Sequence, residues 1–113
     1  MIKERRTSLA RQQLTDKGLK AVYSRATREG HSVENDGKLL LHLKNTGKET
    51  VTVTIKTAYV RAGLKLSDRV VEVEAGKEAF IGPFPPDVYN QPDGHIHINY
   101  SQADGVEVSI LKF

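Results

Sequence analysis

Residues 70–90 read VVEVEAGKEAFIGPFPPDVYN, and this stretch decides the fold. Val71 and Val73 alternate with Glu72 and Glu74, the period of a strand with one buried and one wet face. Ala75-Gly76-Lys77 then turns the chain into a second short strand over Glu78 to Phe84. Pro83, Pro85 and Pro86 carry no N–H donor, so no hydrogen-bonded ladder continues through them. The chain has to turn a corner, with Phe84 and Tyr89 as the large side chains available to pin it. Short alternating strands closed by turns and a proline corner are the pattern of a β-sandwich.

The same period extends outward in both directions. Leu39, Leu41 and Leu43 alternate with Leu40, His42 and Lys44, and Asn45-Thr46-Gly47-Lys48 closes that strand. Val51, Val53 and Ile55 alternate with three polar residues, completing a hairpin with one buried face. Downstream, Pro92-Asp93-Gly94 turns the chain. Ile96, Ile98 and Tyr100 then share one strand face, and Val106, Val108 and Ile110 share another. Leu19, Ala21 and Tyr23 give a weaker alternating signal, residues 30–37 (GHSVENDG) read as a polar loop, and Ala58 to Ser67 is loose. The expected architecture is an all-β, antiparallel sandwich or jelly-roll-like domain of seven or eight strands over residues 19–113.

Residues 1–18 read differently. They form an arm, extended or with one or two helical turns that Thr7 or Ser8 would cap and Gly18 would end. Residues 1–30 hold eight Lys/Arg against Glu4, Asp16 and Glu29, a net +5, whereas residues 31–113 hold nine against eleven, a net −2. Such an arm suits nucleic acid, an acidic protein surface or plain solvent. It has no aromatic residue before Tyr23, so it lacks the stacking groups of a single-strand binder.

A chain of 113 residues is one domain with one core. Without cysteine it has neither disulfides nor thiolate metal ligands, a composition that suits a reducing cytosol. Its longest apolar run, Leu39-Leu40-Leu41, is far too short to span a bilayer, and no membrane role is expected.

Candidate chemistry is sparse. His95 and His97 share one strand face with metal-like spacing, but nothing places a third ligand, and two surface histidines are the expected reading. Glu72/Glu74 and Glu34/Asp36 sit where solvent keeps carboxylates ionised, which is the wrong state for acid–base work. Neither an enzyme nor a cofactor or metal site is expected. Phe84, Pro85, Pro86, Val88 and Tyr89 form either an aromatic–proline patch for a protein partner or the plug of the sandwich end. The structural role is favoured for Phe84 and left open for Tyr89.

The segments LLLHLKNTG (39–47), VTVTI (51–55), GLKLSDRVVEVEAG (63–76), IGPFPPDVYN (81–90) and DGHIHINYS (93–101) occur here in that order, before a VEVSIL strand. In this, residues 37–113 resemble small β-sandwich virion structural proteins of tailed bacteriophages and prophages. The resemblance implies a non-enzymatic capsid decoration (cement) protein at the capsid surface, assembled in the host cytoplasm. Its partners would be the major capsid protein and copies of itself, with shell three-fold sites suggesting a trimer. Arg5, Arg6 and Arg11 would then pair with acidic capsid residues, Leu9 and Leu14 would anchor the arm, and edge strands would add to a capsid sheet. The basic arm departs from the family, whose members begin directly with the first strand. A head–tail joining or tail component forming a ring is the alternative reading. A carbohydrate-binding module would have only four tyrosines and no tryptophan to offer, and the net −2 body argues against a wide nucleic-acid footprint.

Overall fold

The computed structural model describes residues 6–113. Its strands are β1 (Thr7–Ser8), β2 (Arg11–Gln13), β3 (Ser24–Arg25), β4 (His31–Glu34), β5 (Leu39–Asn45), β6 (Val51–Ile55), β7 (Val60–Arg61), β8 (Leu64–Lys65), β9 (Arg69–Val73), β10 (Glu78–Ile81), β11 (His95–Tyr100) and β12 (Val106–Lys112). One helical turn, α1 (Pro86–Tyr89), interrupts them. The all-β fold read from the sequence is the fold of the chain.

One sheet runs β1-β4-β11-β6-β9. The other runs β10-β5-β12, with β2 and β3 both on the far edge of β12. Alternation puts Val33, Val51, Val53, Ile55, Val73, Ile96 and Ile98 on the inner face of the first sheet. Leu39, Leu41, Leu43, Ile81, Val106, Val108 and Ile110 line the second, and the two sets form one core. Apart from Val33 and Ile81, the buried residues at these strand positions are the ones the period of two selected.

The body pairs antiparallel, as expected from its hairpins, but the leading segment does not. β1 pairs parallel with β4, and β2 pairs parallel with β12. Of the two forms open to the arm, the described residues take the extended one, and they lie as a strap across one side of the sandwich. Thr7 N–H donates to Gly30 O at 3.1 Å, Leu9 N–H to Ser32 O at 2.9 Å, and Leu14 N–H to Lys112 O at 2.8 Å. Between these ladders the chain steps from one sheet to the other and drops Leu9 into the core, 8% exposed. Unpaired sheet edges leave backbone groups unsatisfied, and that demand outweighs the weak helix propensity of a polar segment.

Two further expectations change. The polar loop at 30–37 contains β4, because His31 and Ser32 are buried partners of Ile98 and His97 on β11. The strand expected around Leu19 to Tyr23 shrinks to β3, and only Ser24 and Arg25 pair with β12.

The proline corner closes one end of the sandwich. Phe84 is fully buried and meets Tyr89 edge-to-face, with ring centroids 5.6 Å apart. Asn35 holds the corner from the other sheet, donating from Nδ2 to Phe84 O at 2.8 Å and to Asn90 Oδ1 at 2.7 Å. Gly82 leads into it at φ +144°, where a Cβ would lie 2.7 Å from Leu39 O. Only glycine fits there.

At one end of the first sheet's inner face, His31 Nδ1 lies 2.7 Å from the Tyr100 hydroxyl. Burial pushes the His31 imidazole below its usual range and the Tyr100 hydroxyl well above its own. The folded protein therefore binds fewer protons at His31 than the unfolded chain does. Its contribution to stability is present above about pH 6.5 and is lost as pH falls below that value. Denaturant midpoints measured between pH 7.5 and 5 should fall, and His31→Gln should flatten that slope. A slope identical in the two proteins would refute the assignment.

Candidate assembly surface

The sequence-predicted contact residues are mostly turned inward. Arg5 lies outside the described residues. Arg6 is half-buried and donates to Asn99 Oδ1 at 2.7 Å. Arg11, also half-buried, reaches Glu34 at 3.3 Å and Asp36 at 3.6 Å. The acidic partners of Arg11 are therefore its own body's. Leu9, Phe84 and Tyr89 are core residues. Phe84 takes the structural role favoured for it, and Tyr89, left open between corner and interface, takes the same one. Leu9 anchors the arm to its own sandwich in place of a partner. Leu14 alone of the apolar candidates stays at the surface, 40% exposed. At the proline corner Pro83, Pro85, Pro86 and Asp87 face solvent.

The exposed apolar surface lies elsewhere. On the side opposite the strap, β9 and β10 end their sheets with no further strand beside them among the described residues. Each presents a row of backbone donors and acceptors, the usual template for strand addition. Just before β9 the β7–β8 hairpin projects from the body. Its turn residues Ala62 and Gly63 have φ of 54° and 78°, the left-handed pair that a two-residue hairpin turn requires. Val60, Leu64, Leu66 and Val70 are all exposed, Leu64 by 75%. These are four large exposed apolar side chains within eleven residues, next to the β9 edge. In the hairpin Val60 shares a face with Lys65, and Leu64 shares the other face with Arg61.

A polar clamp holds the base of that hairpin. The Asp68 carboxylate accepts from Lys65 Nζ at 2.8 Å and Thr57 N–H at 2.9 Å, and pairs with Lys56 Nζ at 3.1 Å. Partial burial pushes its carboxyl up, but these bonds outweigh it and hold the group well below the usual carboxylate range. Thr57 Oγ1–H also donates to Leu66 O at 2.6 Å. The hairpin is thus fixed at its root, while its tip, Arg61 to Leu64, stays exposed.

Beside β10, the outer face of the second sheet carries a hydrogen-bonded chain. Tyr23 Oη lies 2.6 Å from His42 Nδ1, and His42 Nε2 lies 3.0 Å from Glu78 Oε1. An Nε2–H of His42 donates to Glu78, and the Tyr23 hydroxyl meets the ring's other nitrogen. Phe80, exposed on β10, stacks flat on His42 at 4.1 Å, and Lys44 Nζ sits 4.1 Å above the Tyr23 ring. Sequence reading missed this cluster because its members lie on three different strands or their flanks.

His95 and His97 sit on the outer face of the first sheet. His95 Nδ1 lies 2.8 Å from Ser32 Oγ, and His97 Nε2 lies 3.4 Å from Asp93 Oδ2. The Asp93 carboxyl is pushed up by partial burial, yet the His95 N–H and His97 contacts bring it below the usual range. Among the described residues no group of three or more His, Cys, Asp or Glu is placed to hold a metal ion. Nor is any helix among them long and apolar enough to cross a membrane. No protein-family model, curated protein or solved structure matches the chain.

Proposed function

We propose that this chain is a non-enzymatic structural protein of a tailed-bacteriophage virion, a decoration protein that binds the outer capsid shell and stabilises it. The observation that carries the reading is the open side of the sandwich, with the unpaired β9 edge continuous in sequence with an exposed, clamped hairpin. The resemblance of residues 37–113 to such virion proteins supports it independently. The major capsid protein is the partner, and an edge of its sheet adds to β9 while Leu64, Leu66 and Val70 fill apolar hollows. Copies bound side by side gain avidity from the repeating shell. Carbohydrate binding is less well supported, since Tyr89 is buried and Tyr23 and Tyr100 are bonded to His42 and His31.

Co-sedimentation with full and empty shells of the phage or prophage that carries the coding sequence tests this, at low and high salt. Stoichiometric binding that survives salt is expected. Leu64→Asp and Val70→Glu, both at exposed positions, should weaken it at least about tenfold (about 1.4 kcal/mol) while changing stability by no more than about 0.5 kcal/mol. Absence of shell binding, with rings forming alone or at the portal vertex, would instead make this a head–tail joining component. Binding that collapses with salt would point to nucleic acid.

A further inference from the structure

We propose that residues 6–13 exchange between copies of this chain, each copy laying its β1–β2 strap across the sandwich of a neighbour. The proposal deepens the reading above and rests on it for the setting in which copies crowd together. The docking site is already defined by its occupant. The strap's backbone bonds run to Gly30, Ser32 and Lys112, and the strands it pairs with are β4 and β12. Arg11 pairs with Glu34 and Asp36. Every one of those partners belongs to the body, so the same segment of a second copy satisfies all of them equally well.

The connection to the body permits the transfer. Residues 14–18 and Lys20 and Val22 are exposed, and the chain turns back through a Thr15–Gly18 bond of 3.1 Å with Gly18 at φ 86°. The remaining tie is the amide of Gln12, which bonds Val22 N–H at 2.7 Å and Val22 O at 2.9 Å. Opening this turn releases the strap without breaking any strand pair from β4 onward. Nine residues, 14–22, extended at roughly 3.3 Å each, span about 30 Å. The chain, strap included, measures 40 × 36 × 27 Å, so the strap of one copy reaches the edge of another in contact with it.

Energetics favour exchange over a free arm. A released strap leaves two sheet edges unpaired and the Leu9 site empty, whereas an exchanged strap regains the strand pairs and the Leu9 site and gives up only the closed Thr15–Gly18 turn. Closed and exchanged forms then differ chiefly in effective concentration, which for a short flexible connection is of millimolar order. Copies held side by side on a shell meet that concentration, and dilute copies do not.

The chain has no cysteine, which makes the test direct. Gln13 and Lys112 are register partners across β2 and β12. A Gln13→Cys chain and a Lys112→Cys chain, refolded together and treated with a short bis-maleimide, should give a covalent dimer whose fraction rises with protein concentration. Gln13→Cys mixed with Lys48→Cys, remote from the strap, should not. Deleting residues 16–18 strains the closed turn and should bring dimer formation to at least tenfold lower concentration. Cross-links confined to the Gln13→Cys/Lys112→Cys double variant, with none between mixed chains in solution or on particles, would overturn the proposal. If such a protein still coats shells, the exchange fails and the decoration reading stands. Inter-chain links without shell binding leave exchange standing and remove the decoration reading.

Discussion

Phe84→Ala should cost about 3 to 5 kcal/mol, the usual range for truncating a fully buried phenylalanine. Phe84 is among the largest fully buried side chains, and Tyr89 packs edge-to-face against it. Its carbonyl also accepts from Asn35, so a shift of this corner reaches the β4–β5 connection in the same step. Domains of this size hold about 5 to 15 kcal/mol in total, so the variant would be marginal. At roughly 4 °C for each kcal/mol, the melting temperature should fall by about 12 °C or more. Guanidinium and calorimetric unfolding measure this directly. A loss below about 0.5 kcal/mol would mean that Phe84 is a surface contact after all.

The second large effect is expected at the strap. Leu9→Ala should cost about 2 to 4 kcal/mol, a sum of lost transfer energy and residual cavity. The lower part of the Leu→Ala range applies because only a short segment packs above the site and can settle into it. The signature is spatially specific. Amides at Leu9 and Leu14, which bond Ser32 and Lys112, should lose hydrogen-exchange protection before the β5–β6 region does. By contrast, Arg11→Ala removes a partly exposed ion pair and should cost no more than about 1 kcal/mol. An arm that only met partners would give no stability change for Leu9→Ala, and that result would refute the docked strap. It follows that deleting residues 1–14 is a poor probe of shell binding, because it also opens the core.

The acid response separates two groups of residues. The carboxyls of Asp36, Asp68 and Asp93 all lie below their usual range in the folded protein. Their contributions are present above about pH 4 and are lost only as pH falls below it. His31 acts in the opposite chemical sense, since burial disfavours its charged form in the folded protein, and its loss begins nearer pH 6.5.

Much of the body is legible in the residue order alone. Leu39 to Leu43, Val51 to Ile55, Ile96 to Ile98 and Val106 to Ile110 alternate cleanly, and every one of their inward residues is buried. The proline corner is legible too, since a missing donor is a local fact. Tyr89 stays undecided at that level because both its uses demand the same large side chain at the same turn. The cluster of Tyr23, His42 and Glu78 is beyond reach of sequence reading, as Tyr23 and Glu78 lie 19 and 36 residues from His42.

By itself, then, the sequence determined which residues face inward along each long strand, where the turns fall, and that the chain is all-β. Side-chain direction along a strand depends only on the neighbours at i and i+2, and those are written in order. Which strands became edges, and what covered them, was decided by the tertiary structure alone. Residues 31–34 read as part of a loop and residues 1–18 as an arm, extended or partly helical, until two sheet edges stand open with unpaired donors and acceptors. That demand belongs to the assembled sandwich and to no single segment, and it made strands of both.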